Sequence, residues 1–212
     1  MRKILVNTFL SLDGVMQAPG GPEEDPAGGF THGGWSVNYW DDAMGQLMGE
    51  VMGKPFDLLL GRKTYEIFAA HWPHSDEPGA DALNNATKYV VSTTLRSADW
   101  KNSTLIRDNV PEAIARLKEQ DGPEIQVHGS GNLIQTLLKH NLVDVFSLFI
   151  FPVLLGSGKR LFADGTVPAG LRVVDTKTST TGVIMARYEP AGELITGTFA
   201  LEQPSESERA SA

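Results

Sequence analysis

The sequence predicts an α/β domain built on a mostly parallel sheet with an antiparallel edge. Three observations predict it. Short apolar segments alternate with helical patterns, two of them pass from strand through glycine into helix, and the C-terminal part closes in two strand-like segments around Thr181-Gly182. Alternating strands and helices imply parallel pairing through crossovers, whereas a tight turn joins antiparallel neighbours.

Arg2 to Ser11 is an apolar strand that ends in the turn signal Leu12-Asp13-Gly14. Met16 to Tyr39 is crowded with Gly and Pro yet carries Phe30, Trp35 and Tyr39, with Trp40 beside it, so a functional lid is expected. In Asp41 to Met52, apolar residues recur at helical spacing, and Asp41 and Asp42 suit the helix start. Phe56 to Leu60 reads as a buried strand, Lys63 to Ala69 as a short helix, and Lys88 to Ser92 as a further strand, with a loop and a short helix between. Pro111 to Glu119 is a helix with proline in its first turn and a Glu112 to Arg116 pair at i,i+4. Ile125 to His128 is a strand, Asn132 to Leu138 a helix, and the apolar run Val145 to Leu155 a buried strand. Leu171 to Thr178 and Val183 to Tyr188 form the hairpin. One domain is expected over 1–190, followed by an extension over 191–204 and a disordered tail from Ser205 to Ala212.

The formal charge is −8, from 18 basic and 26 acidic residues, with no basic run. That argues against a nucleic-acid partner and against an anionic membrane surface. Cysteine is absent, which excludes disulfides and thiolate metal sites. The five histidines are scattered and read as surface or loop residues, so no metal is expected. The longest apolar run, Val145 to Leu155, is too short to span a bilayer and contains Pro152. With no signal-peptide pattern at the start, a cytoplasmic location is expected. The same run followed by a terminal hairpin suggests a sheet edge that must be covered, so a homodimer is expected.

The two glycine junctions are Leu60-Gly61-Arg62-Lys63-Thr64 and His128-Gly129-Ser130-Gly131-Asn132-Leu133. Glycine lets backbone approach a ligand closely, and the free N–H groups of the following helix turn carry partial positive charge. Each junction is a candidate phosphate seat, and the pair suggests one extended anionic ligand such as a dinucleotide. Gly131 is expected to hold a backbone that a bulky residue would strain. The bland reading of either junction is a tight βα turn without ligand. The second junction carries Ile134 where the dinucleotide fingerprint needs its third glycine, and no acid follows at the usual distance, so an ordinary Rossmann unit is unsupported. Asp13, Asp41 and Asp42 are candidate proton donors if burial raises their pKa, with turn and helix-start roles as the plainer readings.

Ser11-Leu12-Asp13-Gly14-Val15, the Lys54 to Glu66 segment, Val91-Ser92-Thr93, the Pro123 to Leu133 segment and Pro152 to Gly158 together resemble the dihydrofolate reductase-like fold. Within it they are similar to the reductase half of bifunctional riboflavin-biosynthesis deaminase-reductases. The resemblance implies a three-layer α/β/α domain that binds NADPH and passes hydride to a small planar heterocycle, pterin-like or riboflavin-precursor pyrimidine-like. It implies cofactor phosphates at Gly61, Arg62, Lys63 and Thr64 and at Gly129, Ser130, Gly131, Asn132 and Leu133. The adenosine ribose would lie near Ser92 and Thr93, and the nicotinamide beside Gly14 and Val15. Substrate would enter between Trp35, Tyr39 and Trp40 of the lid and the segment from Pro152 to Leu155. The zinc deaminase half needs cysteines that this chain lacks. A nucleotide-binding or regulatory module with the same fold and no turnover is the alternative.

Overall fold

In the computed structural model, residues 1–199 are described. The elements in chain order are β1 (Ile4–Ser11), α1 (Asp42–Met52), β2 (Phe56–Gly61), α2 (Arg62–His71), α3 (Ala80–Asn85), β3 (Lys88–Val91), β4 (Ser103–Ile106), α4 (Val110–Glu119), β5 (Glu124–His128), α5 (Gly131–Lys139), β6 (Val145–Phe151), β7 (Leu171–Thr178) and β8 (Ile184–Pro190). They form one sheet in the order β4-β3-β2-β5-β1-β6-β8-β7. The first six strands pair in parallel, and β8 runs antiparallel to both β6 and β7. The expected architecture holds.

Strand β4 has no counterpart in the sequence reading. Its four residues, Ser-Thr-Leu-Ile, are none of them fully buried, so neither an apolar run nor a clean alternation marks it. The inner strands behave differently. β1 and β2 are buried along almost their whole length because helices cover both faces of the parallel sheet. On one face Ile4, Val6, Leu10, Ile125 and Val127 pack with Ile114 of α4 and Leu133, Ile134 and Leu137 of α5. On the other, Leu58 and Leu60 pack with Tyr65 and Trp100, and Phe149 and Phe151 with Met44 of α1. Three layers result.

The apolar run from Val145 does not lie at the edge. Its strand β6 sits between β1 and β8, and the edge is β7, whose eight residues are all exposed, Val173 by 58%. Residues 191–199 form no helix or strand and are tied back by the Ala191 N–H to Gly170 O and by the Gly170 N–H to Gly192 O. The expected tail from Ser205 lies outside the described residues. Among the described residues no helix is long and apolar enough to cross a membrane.

Candidate functional site

Strands β2 and β5 are parallel neighbours, so their carboxyl ends bring the two glycine junctions side by side. The backbone N–H of Gly61 donates to Ser130 Oγ at 2.8 Å, and that hydroxyl donates to Thr64 Oγ1 at 2.7 Å. A Cβ on Gly61 would lie 3.1 Å from Ser130 Cβ and Oγ, so the missing side chain is what lets the junctions meet. The starts of α2 and α5 thus converge, each with first-turn N–H groups that lack helical partners. The strained backbone is not at Gly131, which begins α5 with ordinary dihedrals. The left-handed residues are Gly129, at φ 74°, and Ser130, at φ 71°.

Beside this junction lies a cleft of about 330 Å³, lined in part by Lys63, Thr64, Gly129, Ser130 and Gly131. The remaining sequence-predicted cofactor residues lie outside that lining. Arg62 is exposed and pairs with Glu66 at 3.2 Å. Leu133 is buried in the core, so only its backbone can face a ligand. Asn132 and Thr93 are exposed, and Ser92 Oγ closes a turn by accepting the N–H groups of Thr94 and Leu95.

The floor of the cleft is polar. Asn7 and Thr8 of β1 line it, Asn7 is 4% exposed and Thr8 5%, and none of their side-chain polar atoms has a partner among the described residues. Asn7 is in register with His128 on the adjacent strand, which puts both side chains on one face of the sheet. His128 lines the cleft, correcting its reading as a surface or loop histidine. Gln126 Nε2 donates to Glu124 Oε1, which leaves Gln126 Oε1 to accept the Nε2–H of His128 at 2.9 Å. Burial brings the His128 pKa down to about 4, so the imidazole is neutral near pH 7.

The expected lid is a folded loop stapled from within. Gln17 Nε2 donates to the carbonyls of Asp25 and Ala27, its Oε1 accepts the N–H of Lys159, and the Lys159 ammonium pairs with Asp25. Its aromatics do not line the cleft. Trp35 Nε1 donates to Gln17 O at 2.8 Å, and Trp35 and Tyr39 stand edge-on to Phe151 at 5.2 and 6.0 Å. Trp40 is 48% exposed, with its ring 6.3 Å from Phe9. The aromatic wall comes instead from Phe9, Phe68 and Trp72. Val15 is buried with Ala18 and Phe30, and Leu155 packs against that cluster. Gly158 has to be glycine there, because a Cβ would meet Val15 Cγ1 at 2.6 Å. Gly14 supplies a left-handed turn, and Pro152 is exposed near the hairpin turn at Gly182.

The three candidate acids have structural work. Asp13 accepts the Ser11 hydroxyl at 2.6 Å and the N–H groups of Leu155 and Gly156 at 3.1 and 2.8 Å. The Ser11 hydrogen bond, with those two N–H groups, outweighs partial desolvation and holds its pKa down to about 2. Asp41 caps α1 through the Met44 N–H and also accepts the N–H and hydroxyl of Thr180, which lowers its pKa. Asp42 occupies the first turn of α1. Hydrogen bonds to the charged form oppose proton donation, so burial does not make donors of Asp13 or Asp41.

A carboxyl that the sequence reading did not single out is better placed. Glu24 lines the cleft from the lid, and burial pushes its pKa up although its Oε2 accepts the Gly20 N–H at 2.6 Å. Nothing in the run Glu23-Glu24-Asp25 distinguishes the inward-facing acid from its neighbours. Among the described residues no group of three or more His, Asp or Glu side chains could hold a metal ion.

Residues 2–185 match the family model described as the RibD C-terminal domain. The uncharacterized protein YyaP of Bacillus subtilis (strain 168) is 30% identical over 196 residues, spanning 88% of this chain and 94% of its own length. A putative riboflavin biosynthesis protein from Shewanella sp. PV-4 superposes with a TM-score of 0.63 at 21% identity, covering 89% of this chain and 98% of that one. Dihydrofolate reductase from Enterococcus faecalis, solved as a complex with NADP(H), gives 0.55 at 16% identity, covering 89% and 96%. At these identities the two structures establish the shared fold, which is dihydrofolate reductase-like.

Proposed function

The chain belongs to the RibD C-terminal domain family, and from that membership we propose that it is an NADPH-dependent reductase of a small planar heterocycle, pterin-like or riboflavin-precursor pyrimidine-like. One observation carries the reading. Two helix starts converge at Gly61 and Ser130 and open onto a cleft with a polar floor and an aromatic wall. That combination suits a pyrophosphate joined to a flat ring.

The residues present fit such a cofactor. The first turns of α2 and α5, with Lys63, would hold its pyrophosphate, and the reduced nicotinamide would supply the hydride when bound. Arg62 and Thr93 are both exposed and would meet the 2′-phosphate together with Ser92, whose hydroxyl proton is free to donate. Phe9, Phe68 and Trp72 offer flat faces to the substrate ring. Glu24, whose pKa burial raises, would relay the proton that must accompany the hydride. The Gln17 staple and the Asp25–Lys159 pair fix the loop that carries Glu24. The exposed β7 edge supports a two-fold homodimer.

NADPH oxidation followed by absorbance, against pterins, pyrimidines and quinoid rings, tests the reading. Turnover of at least one ring is expected, whereas binding without turnover would favour the nucleotide-binding module. Glu24→Gln is expected to lower kcat by about 100-fold or more while leaving the NADPH Kd unchanged. The wild type should bind NADPH at least about tenfold more tightly than NADH, and Arg62→Ala should narrow that gap. A light-scattering mass near the 23.0 kDa of one chain would count against the dimer.

A further inference from the structure

Asn7, which lines the cleft, has an unsatisfied side chain. It sits in a central strand between Val6, which has no exposure, and the largely buried Thr8, where an aliphatic side chain would pack without loss. A buried amide with neither Oδ1 nor Nδ2 bonded carries an uncompensated desolvation cost, and such groups in native proteins call for an explanation. His128, its register partner, does not supply one: its Nε2 is engaged by Gln126, and neither atom of the Asn7 amide is bonded to its ring.

The chemistry of the two free atoms narrows what can meet them. An Asn amide presents an acceptor and a donor side by side in one plane. A phosphate or carboxylate would satisfy Nδ2 and set its negative charge against Oδ1. An apolar ring would satisfy neither. A group that offers N–H and C=O side by side satisfies both at once, as a ring lactam or a primary carboxamide does.

We propose that Asn7 is the amide-reading residue of the cleft, with Oδ1 accepting a ligand N–H and Nδ2 donating to the adjacent ligand C=O. The inference rests on the reductase reading, under which this edge comes either from the nicotinamide carboxamide or from a lactam of the substrate ring. It also implies that any phosphate on the substrate lies away from this floor.

Asn7→Leu removes both bonds at nearly constant volume, and Asn7→Asp keeps the shape while removing the donor. For each, calorimetry would measure binding of NADPH, of 2′-phospho-ADP-ribose, which lacks the nicotinamide, and of 5,6-diaminouracil to the NADPH complex. Loss of two hydrogen bonds should weaken one probe by about tenfold or more. Weaker NADPH with unchanged 2′-phospho-ADP-ribose assigns the carboxamide, and weaker 5,6-diaminouracil alone assigns the ring lactam. Thermal unfolding without ligand should place Asn7→Leu at or above the wild type, an outcome that a structural role for Asn7 does not give. Unchanged affinity for all three probes in folded variants overturns the inference and leaves the reductase reading standing, as does a collapse of Tm in both. A wild type that binds neither NADPH nor 2′-phospho-ADP-ribose overturns the reductase reading, and the inference with it.

Discussion

The backbone N–H of Gly61 donates to the side-chain oxygen of Ser130 across 2.8 Å, and this one bond joins two βα junctions distant in sequence. It holds the two helix starts side by side. A valine at Gly61 would press on Ser130, already at 3.1 Å from a Cβ, and push the helix starts apart. Gly61→Val is therefore expected to weaken NADPH binding at least about tenfold, the equivalent of about 1.4 kcal/mol. Ser130→Ala, which loses both hydrogen bonds of the hydroxyl, should cost about 1–2 kcal/mol of stability in urea unfolding. Unchanged NADPH affinity in a folded Gly61→Val protein would remove the junction from the cofactor site.

The junctions were legible because glycine after an apolar strand is a local signal. Their meeting was not, since it depends on β2 pairing with β5, and the residues between give no register. A second non-local pairing, of β1 with β5, sets His128 beside Asn7 and turns an unremarkable histidine into part of the floor. Asn7 did leave a trace, as a polar residue inside a strand otherwise suited to full burial. The direction of the lid aromatics is not legible for a different reason. Composition shows that a loop is anchored but not which way its rings face, and Trp35 and Tyr39 turn toward Phe151 instead of the cleft. For Asp13 the plain turn reading came closer than the catalytic one.

Asp13 ties the end of β1 to the segment after β6 through the N–H groups of Leu155 and Gly156. Asp13→Asn should lower stability by about 1–2 kcal/mol at pH 7. A carboxyl whose folded pKa is depressed stabilises the fold above its unfolded pKa, near about 4, and loses that contribution as pH falls toward about 2. The gap between wild type and variant should therefore close across that window. A gap of constant size down to pH 2 would refute the assignment.

Trp35 and Trp40 should part company on truncation. Trp35 is held by Gln17 O and packs against two apolar clusters, so Trp35→Ala should cost about 3 kcal/mol and loosen the lid. Trp40 is 48% exposed, and its loss should cost about 1 kcal/mol or less. Thermal unfolding of the two variants decides it, and equal losses would show that the lid is not anchored through Trp35.

The neutral His128 gives the fold an acid sensitivity of defined sign. Its pKa is depressed to about 4 in the folded chain, while an unfolded histidine titrates near 6.5. Between those values the unfolded state binds the proton and the folded state does not, so stability must fall as pH drops from about 6.5 to about 4. The full difference is on the order of 3 kcal/mol, at about 1.36 kcal/mol per pKa unit. His128→Gln retains a side chain that can donate to Gln126 and has no proton to gain, so its stability should lack this part of the pH slope. Urea unfolding of both proteins at pH 4, 5, 6 and 7 should give curves that converge toward acid, with the wild type losing its advantage or falling below the variant. Curves that stay parallel would mean that His128 charges freely in the fold, and the cleft floor would then be wetter than the geometry around Asn7 requires.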